Sequence, residues 1–449
     1  MKTLLKPSSI ITMNARREIV HNGGIIINNN TIEAVLNEQA VRSLQPFDGE
    51  IVDAPSLVAS PGFIQTHIHL CQTLFRGLAD DLELLDWLRL RIMPYEAAHN
   101  ARSMYASAQI GIAELLRSGT TTIMDMGSLN HEEEIIRAVL ETGIRAFVGK
   151  AMMDVNDLHP PMKESTKQAL ASTRKYAEQV HGSANGRVRY AVAPRFILSC
   201  TDELLQEAYE MTKNFPGMLF HTHAAENRHE MEAVRKRCTM DNVEYFHHLN
   251  ILQHNTCLAH CIWLNDREMD LMHERDAKVL HCPSSNLKLG SGVAQIPALR
   301  ARGVTVSLGA DGAPCNNTLN MFEEMRLAAL IQKPLHGPTA MDAQSVFEMA
   351  TLGGAAALGI AREVGSLETG KKADIVLLDV QRPWNPLLPR AATDLYSSIV
   401  YSCSPENVHS VMVDGRWVYR NREYPGIDEH AVMHAAKDEL RLLLQRVHS

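Results

Sequence analysis

Between residues 57 and 332 two hydrophobic patterns take turns along the chain. Short apolar runs with strand character cover Leu57–His69, Thr120–Asp125, Ile144–Ala151, Arg187–Phe196, Met218–His223, Thr256–His260, Ala277–His281 and Val304–Asp311. Stretches with apolar residues at helical spacing separate them: Ala101–Arg117, Glu132–Glu141, Thr166–Val180, Asp202–Thr212, Glu226–Lys236, Asp266–Arg275, Ile296–Arg302 and Leu319–Gln332. Eight strands, each followed by a helix, predict an α/β fold of the (β/α)8 TIM-type barrel class, with a doubly wound open sheet as the alternative. The chain ends read differently. Residues 1–57 alternate short apolar runs with turn residues (Ile10-Ile11-Thr12, Gly24–Ile27, Thr31–Val35), too little to close a core alone. Lys372–Asp379 and Val408–Tyr419 are strand–turn–strand material, with Asp414-Gly415 as the hairpin signal. The expectation is a flanking β-sandwich built from both ends, residues 1–57 with 366–449, beside a catalytic barrel spanning 58–365.

Composition narrows the function classes. The chain has 449 residues and is 45% hydrophobic, enough for a large core. Lys+Arg 44 against Asp+Glu 52 gives a net charge of −8, which argues against a binder of phosphate backbones. Aromatic content is 5%, and no basic run or stacking platform is visible, so no nucleic-acid partner is expected. No secretory-signal pattern opens the chain and no window approaches a membrane span, so no membrane partner is expected. The eight scattered cysteines lack any Cys-x-x-Cys and read as reduced thiols of a cytoplasmic protein.

Candidate chemistry gathers at the strand ends, where barrel enzymes place it. The first strand ends at His67 and His69, two apart and so on one face of a strand. Later strands end at His223, His260, His281 and Asp311. Three imidazoles and a carboxylate (His67, His69, His223 and Asp311) suit one divalent metal, zinc first and iron(II) second, with a position left for water. Glu226, three residues past His223, is the candidate proton carrier; the competing reading is a helix-N-terminal carboxylate. Asp311 is expected to ligate the metal and take a proton from the attacking water, and His260 to hold that water. Lys150 raises the possibility of a modified lysine bridging two metals, but the fourth strand ends in Arg195-Phe196 without a second lysine, which favours one. The apolar stretch Leu82–Trp87 is a candidate cover for the site or a contact with a partner chain, and a homo-oligomer is expected.

The motifs Pro61-Gly-Phe, Thr66-His-Ile-His69, His223-x-x-Glu226, Ala259-His260, His281-Cys-Pro-Ser-Ser-Asn-Leu287, Leu308-Gly-Ala-Asp-Gly312 and Gly365-Ser-Leu-Glu-Thr-Gly-Lys-Lys-Ala-Asp374 follow one another over nearly the whole chain. In this order they resemble the amidohydrolase superfamily, in its aminohydrolase branch. The resemblance implies a barrel flanked by a β-sandwich, one metal, and hydrolytic deamination or a related displacement on a nitrogen heterocycle. Leu74-Phe-Arg-Gly77, Met93-Pro-Tyr-Glu96, Ser284–Gly292 and Asp311–Asn320 look like deaminases of 5'-deoxyadenosine, methylthioadenosine and S-adenosylhomocysteine. That likeness implies that Glu96 binds ribose hydroxyls, although the group usually carries a histidine where this chain has Arg195. Arg145–Lys150, Pro194–Cys200 and Glu226–Glu230 look like guanine deaminase, which implies that Gln72 and Arg195 read a purine carbonyl and ring nitrogen. Lys150, Phe196 and His281, in these same stretches and motifs, complete the candidate substrate-binding set. The expected function is a metal-dependent hydrolytic deaminase of a 6-aminopurine nucleoside. Guanine deaminase and s-triazine aminohydrolase or chlorohydrolase are the alternatives within the branch; a metal-free, non-enzymatic scaffold protein is the alternative outside it.

Overall fold

The computed structural model describes residues 2–44, 46–381, 383, 385 and 392–447. Eight parallel strand positions form a ring: β1 (Phe63–His69), β2 (Thr120–Asp125), β3 (Arg145–Val148), β4 (Val188–Pro194), β5 (Leu219–Ala224), β6 (Thr256–His260), β7 (Lys278–His281) and β8 (Val306–Leu308). The last position is split. Val306–Leu308 pairs with β7, while Asp311–Gly312 pairs with β1 and closes the ring. This is the TIM-type barrel that the strand–helix alternation predicts.

Every residue of β1 is buried, as expected for a strand with the barrel interior on one face and helices on the other. The interior is filled by Ile64, Met124, Phe147, Ala191, Leu219, Cys257, Ala259 and Leu280, drawn from β1 to β7, and is plugged by Ala355, Leu358, Ile360 and Val364. This apolar plug leaves only the carboxyl ends of the strands free to carry polar side chains inward.

The two chain ends form an eight-stranded sheet. Lys2–Ile11 pairs parallel with Glu50–Pro61, which pairs antiparallel with Ile375–Leu378 from the other end of the chain. The Asp414-Gly415 turn closes a hairpin between Val408–Val413 and Arg416–Tyr419, with both turn residues at positive φ (49° and 74°) as its tight geometry requires.

Three expected elements differ in detail. Leu57–His69 is two strands, because Gly62 breaks it: a Cβ there would lie 2.1 Å from Thr121 Oγ1, so only glycine lets the chain pass from sheet to barrel. Ile144–Ala151 is interrupted at Gly149-Lys150, after which Ala151–Met152 pairs separately with the end of β4. The helix expected over Glu226–Lys236 spans Arg228–Cys238, with Asn227 as its N-cap accepting from His229 N. Glu226 therefore stands outside the helix, in the turn that follows β5. Among the described residues no helix is long and apolar enough to cross a membrane, and the eight cysteines are free.

Candidate active site

His67 and His69 end β1, His223 lies one residue before the end of β5, and Asp311 opens the short strand that closes the ring. Their polar atoms converge. His67 Nε2 and His69 Nε2 each lie 3.3 Å from Asp311 Oδ1, and His69 Nε2 lies 3.3 Å from His223 Nε2. The far ring nitrogens show which tautomers these are. His69 Nδ1 donates to the Met126 carbonyl at 2.7 Å and His223 Nδ1 to the Arg195 carbonyl at 2.6 Å, since a carbonyl oxygen only accepts. Burial holds His69 down to about 4 and His223 well below its ordinary value, so both are neutral near pH 7. Two neutral rings with Nδ1–H therefore turn bare Nε2 lone pairs at each other, which is repulsive unless a cation sits between them. Tetrahedral ligands about 2.0–2.1 Å from a zinc ion lie roughly 3.3–3.4 Å apart. The donor set fits a divalent metal in chemistry, in protonation and in spacing.

Beside this cluster stands the proton-handling pair. His260 Nε2 is 3.5 Å from Glu226 Oε2 and 3.8 Å from Asp311 Oδ2. Asn286 Oδ1, 2.8 Å from His260 Nδ1, fixes that ring. Burial raises the Glu226 carboxyl to about 7, against the opposing pull of His260. Its backbone N–H donates to Glu230 Oε2 at 3.1 Å, and burial raises Glu230 to about 6. A carboxyl poised near neutrality next to a polar cluster can give and take a proton at working pH.

A cavity opens over these groups. Leu84, Trp87, Leu88 and Phe196 form its apolar wall, and Gln72, Arg195, Glu226 and Glu230 its polar one. The apolar stretch Leu82–Trp87 thus supplies a cover: Leu84–Trp87 is helical, and its buried side chains face the cavity. Arg195 and Glu96 are paired bidentately, Nη1 to Oε2 at 2.8 Å and Nη2 to Oε1 at 3.0 Å. Gln72 Nε2 donates to the same carboxylate at 2.8 Å, leaving Gln72 Oε1 buried without a partner. Burial alone would raise Glu96, but the Arg195 guanidinium outweighs it and holds the carboxyl below its ordinary value.

The candidate substrate residues divide accordingly. Gln72, Arg195 and Phe196 line the cavity, and Glu96 lies behind Arg195 and Gln72. Lys150 does not line it; it is buried against Glu164 and the Ala151 carbonyl in the gap after β3. His281 does not line it either. Leu280 belongs to the interior cluster, so strand alternation turns His281 to the opposite face, where neither ring nitrogen has a protein partner. Asn286 lies in a motif singled out from the sequence, but its orienting part is visible only in space. His221 and Glu230 were also missed; the His-x-His spacing of His221 and His223, repeating that of His67 and His69, was the available signal for the first.

Residues 58–418 match the amidohydrolase family. Over 421 residues the chain is 41% identical to the 5'-deoxyadenosine deaminase of Methanothermobacter thermautotrophicus, covering 93% of this chain and 94% of that one. Over 449 residues it is 35% identical to the 5-methylthioadenosine/S-adenosylhomocysteine deaminase of Acetivibrio thermocellus, covering 99% and 100%. Among solved structures, an adenosine deaminase from Xanthomonas campestris with bound zinc superposes with a TM-score of 0.91 at 27% identity, covering 99% of this chain and 98% of that one.

Proposed function

Because the chain belongs to the amidohydrolase family, we propose that it is a metal-dependent hydrolytic deaminase of a 6-aminopurine nucleoside, such as 5'-deoxyadenosine, methylthioadenosine or S-adenosylhomocysteine. The observation that carries the chemistry is the meeting of bare imidazole nitrogens and Asp311 beside a carboxyl, Glu226, raised to about 7. The substrate class is supported by the two full-length relatives named above.

His67, His69, His223 and Asp311 hold the cation, zinc first and iron(II) as the alternative by donor type. A cation so held lowers the pKa of a bound water to about 7 and supplies the nucleophile at neutral pH. His260, fixed by Asn286, orients that water through Nε2, and Asp311 Oδ2 takes its proton. As the water oxygen bonds to C6 of the purine, Glu226 delivers its own proton to the adjacent ring nitrogen. Protons then return through Asp311 and Glu226 to the exocyclic nitrogen, the C–N bond breaks, and ammonia leaves a 6-oxopurine. Leu84, Trp87, Leu88 and Phe196 exclude bulk water from the base.

A guanine reading is favoured by one specific observation. Glu96, the expected ribose acceptor, is engaged by Arg195, while Arg195 donors and the free Gln72 Oε1 form a donor–acceptor pair suited to a lactam edge. Ammonia release from metal-replete protein with 5'-deoxyadenosine, methylthioadenosine, S-adenosylhomocysteine, adenosine, guanine and an aminotriazine tests both. Turnover of the adenosine set supports the proposal. Turnover of guanine alone overturns it, and Arg195→His should then abolish that activity.

A further inference from the structure

His221 is fully buried on β5, two residues before His223 and on the same face of the strand. Its Nε2 lies 2.8 Å from Nδ1 of His67. The other two imidazoles of the cluster have their Nδ1–H groups fixed by main-chain carbonyls, Met126 for His69 and Arg195 for His223. Those carbonyls permit one tautomer. For His67 the same place is taken by a second imidazole, which can donate or accept.

Two arrangements of the pair are therefore open. In one, His67 carries its proton on Nε2 and gives it to Asp311 Oδ1, 3.3 Å away, while His67 Nδ1 accepts from His221 Nε2–H. In the other, His67 Nδ1–H donates to His221 Nε2, and His67 Nε2 is left bare and aimed at the convergence point, where it has no protein partner. Only the second arrangement presents a lone pair to a cation. It places the His221 proton on Nδ1, a buried atom without a partner. Outer partners of this kind orient a ligating imidazole and raise its basicity.

We propose that His221 is a positioning residue that acts through His67: it accepts the Nδ1 proton of His67 and thereby sets the cation affinity of the site. The inference rests on the reading of His67 as a metal ligand and not on the identity of the substrate. A ring of similar volume without an acceptor, His221→Phe, leaves His67 Nδ1–H unpaired. An amide, His221→Gln, retains an acceptor oxygen.

The test is the zinc dissociation constant of the full-length protein, by competition with a chromophoric chelator, for the parent, H221F and H221Q, with melting of each metal-free protein measured alongside. The expected result is affinity weakened about 10- to 100-fold in H221F, restored in H221Q, while the metal-free H221F protein melts no lower than metal-free H221Q. Equal zinc affinities in H221F and the parent overturn the proposal, and so does equal weakening in H221F and H221Q, which would mean that shape alone matters. If H221F does not fold, H221M serves as the acceptor-poor variant with the same two outcomes. A parent protein that binds no zinc overturns the metal site and this inference together. A parent that binds zinc but releases no ammonia overturns only the substrate reading.

Discussion

Glu226 is the residue on which the proposed reaction turns, because it is buried yet must carry a proton. Glu226→Gln keeps the shape and removes the titration. The expected outcome is a kcat lowered about 10²- to 10⁴-fold with metal content unchanged, measured by steady-state rates and metal analysis on one preparation; an unaltered kcat removes Glu226 from the mechanism. The pH dependence follows from the same group. Burial raises its carboxyl to about 7, and the protonated form is the donor. The active fraction is therefore full below that value and falls as pH rises through about 7, so kcat should decline on the alkaline side in the parent. The limb should be absent from whatever activity E226Q retains. Asn286 acts one step further out, through His260 Nδ1. Asn286→Ala should lower kcat more than it raises KM, because the ring it frees touches the water and not the base; a change in KM alone would argue for a substrate contact instead.

The strands aim these side chains by departing from regular alternation. In β1 the register against β2 shifts between Gln65 and Ile68, so the parity that puts Ile64 inside is reset before His67 and His69. At the ends of β6 and β8 the same result comes from backbone twist: His260 (φ 72°) and Asp311 (φ 63°) occupy the left-handed region, at a cost of about 1–2 kcal/mol each. β7 has no such device, and its terminal histidine faces away. The join between β8 and β1 leaves no room for a side chain at Gly309, whose Cβ would lie 2.6 Å from His67 O and 2.8 Å from His67 N. Gly309→Ala must push the two segments apart. It should cost about 1–3 kcal/mol of stability and weaken metal retention, read from urea unfolding and from metal content after dialysis. Full retention of metal would show that the close approach does not position His67.

The barrel and the flanking sheet are tied by a buried ion pair. Arg145, at the start of β3, donates through Nε and Nη2 to the two oxygens of Asp374, both at 2.8 Å, and Asp374 Oδ1 also accepts from Asp414 N at 2.8 Å. Burial opposes the charge on Arg145, but Asp374 outweighs it and raises the guanidinium above its ordinary value. Removing one partner strands a buried charge, so Arg145→Met should lower the unfolding free energy by about 3–5 kcal/mol. The double variant Arg145→Met with Asp374→Leu should recover part of that loss, read from denaturant midpoints. The C-terminal helix Glu429–Val447 makes a second tie, packing on the barrel helix Ala101–Arg117 with Ala436 and Leu443 buried and with Arg446 Nε donating to Ala98 O at 2.7 Å.

What the sequence by itself determined is whatever follows from local period and spacing. Strand and helix periods set the eightfold alternation, and His67 with His69, His223, His260 and Asp311 could be read as one cluster because barrel strands all run the same way and end on the same face. Local signals also marked Asp414-Gly415 as a turn. Tertiary structure decided which strand-end residues point inward. That depends on a register shift in β1 and on left-handed residues in β6 and β8, which have no period of their own, and it is why His281 was read as a site residue. Only the folded chain could pair Glu96 with Arg195, 99 positions away, or His67 with His221, 154 away. Hydrogen bonds between strands are set by where the ring closes, and closure is a property of the whole barrel.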